Sequence, residues 1–285
     1  MKRIFVWYNN LSKRVRDSIQ ISIVIVGLIS TLLSILGISL EDLEGASILF
    51  RLCVVIAFVI LIYFISFITI GRVFGEQINI VIRQTPICIC GGNIFFETGW
   101  RVIGCDSHFD TRIDDIIIAK KSLHGQLVLN HGKKSEIESA VEREARRLKI
   151  TKDQNGLYTF PLGTIIPYRS SVDNQKYLML AMTNLNAQYE AHTNMAEYEQ
   201  MLMKMWKEID RVYAMNDVSL PVLGTGIPRF DDGPKDNEAL LRCMLCTLNS
   251  SGVSLKSKIK IIIFGNVKEL PLYEYKDMFR EIHRR

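Results

Sequence analysis

Two stretches early in the chain carry no charge at all, residues 18–40 (23 residues) and residues 52–71 (20 residues). Beyond residue 75 the pattern changes to short apolar runs separated by turns and by segments with helical spacing. The hydrocarbon core of a bilayer takes about 20 residues of helix, so each uncharged stretch is predicted to cross a membrane. The later pattern predicts strands at residues 87–90, 101–105, 115–119, 177–183, 219–223 and 258–264. Helices are predicted at 135–149, 195–213 and 235–249. Ser135 and Glu138 stand at capping-box spacing, and Met201, Met205, Ile209 and Val212 form the apolar stripe of the longest helix. Strands alternating with helices predict an α/β domain with a largely parallel sheet covered on both faces.

Charge orients the two spans. Residues 1–17 are net +4, with Lys2, Arg3, Lys13, Arg14 and Arg16 against Asp17. The segment between the spans contains Glu41, Asp42 and Glu44, and Arg72 and Arg83 follow the second span. Positive flanks stay inside, so both termini are predicted to be cytoplasmic and the short loop external. Phe5, Trp7 and Tyr8 suit a membrane interface. A cleaved signal peptide fits poorly, because the basic region is long and a second span follows directly. Gly27, Ser30, Ser34 and Gly37 share one face of the first helix at spacings that could pack helices together. The expected organisation is a basic N-terminus (1–17), a two-helix anchor (18–75) and a cytoplasmic ligand-binding domain (76–285). That domain is only slightly basic, so nucleic acid is not an expected partner.

In parallel α/β domains ligands bind beyond the carboxyl ends of the strands. Residues 224–227, Gly-Thr-Gly-Ile, stand in such a place, between a strand and a helix that begins near Pro234. Glycines there let backbone N–H groups turn inward as a nest for phosphate oxygens. Alone, a glycine turn also serves as a plain connection. It gains meaning from the loops that precede it: Gly92-Asn93-Ile94-Phe95, then residues 105–111 (Cys-Asp-Ser-His-Phe-Asp-Thr), residues 122–126 (Ser-Leu-His-Gly-Gln) and residues 161–164 (Pro-Leu-Gly-Thr).

In this order the set resembles a macro domain, and the two leading spans resemble the membrane-anchored effectors of the Thoeris antiphage defence system. The resemblance implies a three-layer fold with a mixed, largely parallel sheet. It also implies ligand-binding roles for Asn93, Ile94, Asp106, His124, Gly125, Gly224, Thr225, Gly226, Ile227, Arg229 and Phe230. Asn93 stands where macro domains place an acidic residue that accepts from adenine, and it keeps an acceptor oxygen without the charge. Asp106 stands beside the expected distal ribose. Residues 224–227 would hold a diphosphate, with Arg229 meeting phosphate and Phe230 stacking on the ligand. The implied ligand is an ADP-ribose derivative, with histidine-ADP-ribose made from NAD by a TIR-domain partner as the family expectation. The implied response is homo-oligomerisation, disruption of the inner membrane and abortive infection.

Each residue also has a plainer reading. Asn93 serves turns, Asp106 can cap a helix, Asp110 and Thr111 can stabilise their loop, and His124 can be a loop residue bonded to backbone. Cys243 and Cys246 form a CxxC inside an apolar helix and are expected to be small core residues rather than a metal or redox pair. Cys88 and Cys90 point the same way from one strand with no histidine pair to match. With a cytoplasmic domain all six thiols should be reduced. No catalytic triad, metal motif or paired-carboxylate motif is present, so neither enzyme activity nor a cofactor is expected. Two alternatives remain: a membrane-tethered ADP-ribosyl hydrolase using Asp106 as base, and a two-span scaffold that binds a protein partner.

Overall fold

A computed structural model describes residues 13–35, 47–73, 77–114, 118–185, 191–226, 229–265, 267, 270, 272 and 275. The chain divides into two units, residues 1–76 with 268–274 and residues 77–267 with 275–285.

The first unit contains two helices, α1 (Lys13–Ile35) and α2 (Ile48–Val73). Both hold segments long and apolar enough to cross a membrane, Val15–Ile35 and Ile48–Thr69, near the N-terminus. Most of their large apolar side chains are exposed, as a lipid-facing surface requires. The helices pack on each other, and their buried positions fall at Ser18 and Ser22 on α1 and at Ile62 and Ser66 on α2. The stripe read from sequence is not part of that contact. Gly27 meets open space where a Cβ would stand, and Ser30 and Ser34 are exposed. Gly37, the aromatic residues at positions 5, 7 and 8, and the acidic loop lie outside the described residues.

The second unit is a three-layer α/β/α domain. A nine-stranded sheet runs in the order β1-β2-β9-β7-β3-β5-β6-β8, with β4 paired to β5 off that path. The strands are β1 (Gln77–Ile82), β2 (Thr85–Gly91), β3 (Trp100–Asp106), β4 (Ile165–Arg169), β5 (Lys176–Leu185), β6 (Ala191–Thr193), β7 (Val218–Pro221), β8 (Arg229–Phe230) and β9 (Ile259–Ile263). The five central strands are mutually parallel, and β1, β4 and β6 join antiparallel. The helices are α3 (Leu123–Gln126), which runs on as a wide turn over Leu127–His131, α4 (Lys134–Leu148), α5 (Met195–Val212) and α6 (Asn237–Ser250).

Alternation along each strand divides the core. Ile103, Cys105, Tyr177, Met179 and Ala181 pack with Ile137, Ala140, Val141 and Ala145 of α4. The intervening Val102, Leu178 and Leu180 are equally buried on the opposite face, where α5 packs against β4 and β5. On α5 the buried residues are Tyr198, Met201, Leu202, Met205, Trp206 and Ile209, and Val212 is only half-buried. The Trp206 indole N–H donates to Thr247 Oγ1 at 3.2 Å and ties α5 to α6.

Several local expectations need correction. The helix predicted from Ser135 begins at Lys134, and its flanking Lys133 makes no side-chain cap, so the capping box does not form. Glu138 reaches Lys134 and Thr111 instead. Residues 118 and 119 are not in a strand, and the rest of the predicted 115–119 run lies outside the described residues. Cys243 is buried as expected, but Cys246 is exposed on the same helix. Burial pushes the Cys243 thiol up to about 12. No described cysteine is in a disulfide, and no described group of three or more His, Cys, Asp or Glu residues is placed to hold a metal.

Candidate ligand-binding site

Five adjacent parallel strands send their carboxyl ends to a single edge, and the loops singled out in the sequence leave from it. Asn93 and Ile94 follow β2, Asp106 closes β3, and Gly224, Thr225 and Gly226 follow β7. The sheet also has a weak seam at this point. β3 pairs with β5 at seven residues but with β7 only at Trp100–Val218 and Arg101–Ser219, at the amino end. Toward the carboxyl edge the two strands share no further register pairs. Asp106 and Gly224 each lie six residues beyond the Trp100–Val218 pair. The two therefore flank the open end of the seam, the kind of crevice in which α/β sheets bind ligands.

The β7 loop is held from below and open above. Tyr198, buried on α5, donates its hydroxyl to the Leu223 carbonyl at 2.9 Å. Gly224 has φ +89°, a conformation that disfavours any side chain. Thr225 Oγ1 donates to the Val222 carbonyl at 3.2 Å, and at Gly226 nothing lies within 4 Å of where a Cβ would stand. The chain then returns through β8, whose Arg229 and Phe230 pair in parallel with His192 and Thr193 of β6. Phe230 meets Tyr198 edge-on, with ring centroids 5.7 Å apart, and Asp231 lies 2.8 Å from His192 Nδ1. Phe230 is thus joined to the glycine loop through Tyr198. The Arg229 side chain and Ile227 lie outside the described residues.

Asn93 is committed to its turn. Its side-chain oxygen accepts from the Phe95 N–H at 3.0 Å and caps the short helical turn Ile94–Phe96. Ile94 and Phe95 are buried beneath it. Phe95 stacks on His131 at 4.2 Å with the rings 7° from parallel. His131 Nδ1 lies 3.0 Å from Asp173, which accepts from the Tyr177 hydroxyl at 2.5 Å. Arg101 closes this network on Tyr177, Gln175 and the Glu97 carbonyl. Burial alone would raise the Asp173 carboxyl, but hydrogen bonds from Tyr177, the Gln175 N–H and His131 outweigh it and hold it below its ordinary value. Burial and the bond to Asp173 push the Tyr177 phenol far up. A fixed aromatic and ionic base thus sets the position of the turn that carries Asn93.

The third cluster is closed. Asp106 is 6% exposed. One of its oxygens accepts from the His108 N–H at 2.8 Å, while the other is buried without any hydrogen-bond partner. His124 Nδ1 stands 3.8 Å from that second oxygen, too far for a hydrogen bond. His124 is buried in α3, which corrects the plain loop reading, and burial pushes its pKa down against the opposing pull of Asp106 and Asp110. The Gly125 N–H donates to Ser122 Oγ at 2.9 Å, and a Cβ on Gly125 would lie 2.3 Å from the Ala119 carbonyl oxygen. Gly125 is therefore required for packing. Asp110 is chelated by Arg112 at 2.9 and 2.5 Å, and this pairing outweighs burial to keep its carboxyl below the usual range. Asp110 thus serves its loop.

Residues 87–264 match the family described as Thoeris protein ThsA, Macro domain. The chain belongs to that family. It is 25% identical over 248 residues to the Thoeris protein ThsA of Bacillus amyloliquefaciens (strain Y2), covering 84% of this chain and 82% of the relative. Among solved structures it is similar to a mutant macrodomain of Oceanobacillus iheyensis with ADPR, at 14% identity and TM-score 0.49, over 72% of this chain and 99% of that one. The same macrodomain with ADP aligns at 15% identity and TM-score 0.45, over 73% and 97%.

Three parts of this macro domain's edge escaped the sequence reading. Tyr198 supports the glycine loop from a helix read only as core. His131, Asp173 and Arg101 support the Asn93 turn from three distant segments. Phe264, the residue after β9, is 86% exposed beside the strand that leads to Asn93. The only sequence signal for it was an aromatic residue at the end of an apolar run.

Proposed function

We propose that the chain is a membrane-anchored sensor in antiphage defence, whose macro domain binds an ADP-ribose derivative and whose helices respond by assembling in the membrane. The observation that carries this reading is the carboxyl edge of the ThsA-type macro domain. There a glycine loop, open at Gly226, and a carboxylate flank the seam between β3 and β7. The loop's backbone N–H groups suit a diphosphate, and the exposed Phe264 suits a base. The expected signal is histidine-ADP-ribose made by a TIR-domain partner. The two apolar helices suit an inner-membrane anchor with both termini cytoplasmic, and exposed Gly27, Ser30 and Ser34 leave room for helix–helix contact between copies. A ligand shifts an assembly equilibrium only by its difference in affinity for the two states. Binding must therefore be tighter in the assembled form, which then disrupts the membrane.

The test is calorimetric titration of the full chain in lipid nanodiscs with histidine-ADP-ribose, ADP-ribose and NAD, followed by chromatography of the ligand. Tight binding of one compound, recovered unchanged, together with a ligand-dependent rise in particle mass, supports the sensor. Absence of binding to all three overturns it in favour of a scaffold. One observation favours a second reading: a buried carboxylate with an imidazole 3.8 Å away has the chemistry of a general base for ribosyl-ester hydrolysis. Turnover of an ADP-ribosyl ester, lost in Asp106→Ala, would establish that hydrolase.

A further inference from the structure

We propose that β1 is a pairing edge, through which a second copy of this chain extends the sheet across a two-fold axis. The proposal uses the membrane anchor suggested above but not the ligand reading. Sheet edges expose unpaired N–H and C=O groups, and proteins usually guard them with short strands, proline or charge. Among the described strands, the other edges are guarded in that way. β8 is two residues long and begins with Arg229, and β4 carries Pro167 and Arg169. β1 has no such device. Gln77–Ile82 reads Gln-Ile-Asn-Ile-Val-Ile, six residues paired without charge, proline or bulge at the free end of the sheet.

The hairpin fixes which backbone groups of β1 face outward. Its turn has two central residues, Arg83 and Gln84, at φ +46° and +67°, the geometry of a type I′ hairpin closed by Ile82 and Thr85. Such a closing pair exchanges hydrogen bonds, and bonded pairs alternate along an antiparallel ladder. Ile82, Ile80 and Ile78 therefore spend their backbone groups on β2. Pro86, opposite Val81, has no N–H to give, in keeping with that phase. Gln77, Asn79 and Val81 point their N–H and C=O groups away from the sheet. Among the described residues nothing bonds to those outward groups. Their side chains are exposed as well, Val81 at 49%.

This edge is complementary to itself. Asn79 is the centre of the three outward residues, so an antiparallel copy registered Asn79 on Asn79 sets each Gln77 opposite a Val81. Every outward N–H and C=O then has a partner, and any other register leaves some of them unpaired. The same register sets the two Asn79 amides side by side and brings Ile78 of each copy against Ile80 of the other, which continues the apolar layer. No like charges meet, because the strand carries none. One patch repeated about a two-fold axis is also the commonest form of protein self-association. Residues 74–76 alone separate β1 from α2, and confinement of copies to one membrane raises the effective concentration of one edge for another.

The experiment places single cysteines on the exposed positions of β1 in the full chain, reconstituted in liposomes without nucleotide. Disulfide-linked dimers are followed on non-reducing gels after mild oxidation. Bonded antiparallel pairs hold their Cα atoms about 5.5 Å apart, within disulfide reach. The wild type, with exposed Cys53 and Cys246, sets the background, and Val172→Cys gives an exposed position elsewhere in the domain. Asn79→Cys should yield at least about tenfold more dimer than either. Val81→Cys alone should stay at background, and mixed with Gln77→Cys it should cross-link. Asn79→Lys puts two ammonium groups on the axis. It should weaken self-association in detergent about tenfold by analytical ultracentrifugation, while the melting temperature holds within about 2 °C. Asn79→Cys dimerising no better than Val172→Cys, or Val81→Cys cross-linking as well alone as with Gln77→Cys, overturns the edge. Liposome flotation is read separately. Chain that does not float with lipid overturns the anchor, and the same cross-links in detergent then decide the edge.

Discussion

Gly125 and Gly226 both belong to segments picked out for ligand binding, and the structure gives them opposite roles. A methyl group on Gly125 would sit 2.3 Å from the Ala119 carbonyl oxygen, whereas one on Gly226 would meet nothing within 4 Å. The first glycine is required by the fold, which draws α3 tightly under the sheet edge and buries His124 beside Asp106. The second leaves a backbone bare to solvent at the mouth of the seam. Sequence shows two glycines in two promising loops, and packing decides which of them a ligand can reach.

That contrast can be broken most sharply at Gly226. Gly226→Phe fills open space, so the melting temperature of the unliganded protein should hold within about 2 °C, while affinity for the nucleotide should fall roughly 100-fold or more as the ring covers the loop. Retained binding would place the ligand elsewhere. Gly125→Ala should behave in the reverse sense. Overpacking of this kind costs about 1–3 kcal/mol, or a drop of several degrees by differential scanning calorimetry for a domain of this size. Tyr198→Phe removes the hydroxyl that holds Leu223 and should cost about 1 kcal/mol of stability. It should also loosen the glycine loop enough to weaken binding measurably without abolishing it.

The smallest effect concerns pH. His124 has its folded-state pKa below the unfolded value because burial disfavours the imidazolium. Protonation therefore favours the unfolded chain, and this residue's contribution to stability is full above the unfolded pKa. It declines as pH falls below about 6.5, toward the lower folded value. A thermal scan from pH 7.5 to 5.5 should show a decline that His124→Gln reduces. An unchanged slope in that variant would assign the decline to other groups.

The parallel core was legible because β2, β3, β5, β7 and β9 are short apolar runs bounded by glycine, proline or charge, and period and punctuation coincide there. β4 was missed because Pro167 interrupts its run, and a proline demotes a strand reading; it is tolerated here because β4 lies off the main path of the sheet. β1 was missed although Gln77–Ile82 alternates exposed and buried positions, since it follows directly on the apolar run of α2. The capping box failed because its Ser-to-Glu spacing is a local rule, while here the helix starts one residue earlier, at Lys134, and Glu138 is drawn instead to Lys134 and Thr111. In the candidate site, the loops could be read because they follow strands in order. Their supports could not. The links from Tyr198 to Leu223 and from His131 to Asp173 join residues 25 and 42 positions apart, and no local pattern marks such pairs.

The two-rung ladder between β3 and β7 has a mechanical consequence. A sheet normally resists a wedge because each rung that opens must exchange its hydrogen bonds for water. Here the halves β1-β2-β9-β7 and β3-β5-β6-β8 are fastened to each other like shears on a pivot at Trp100 and Arg101. A guest entering from the carboxyl side would meet no ladder pair between β3 and β7 until it reached Arg101 and Ser219.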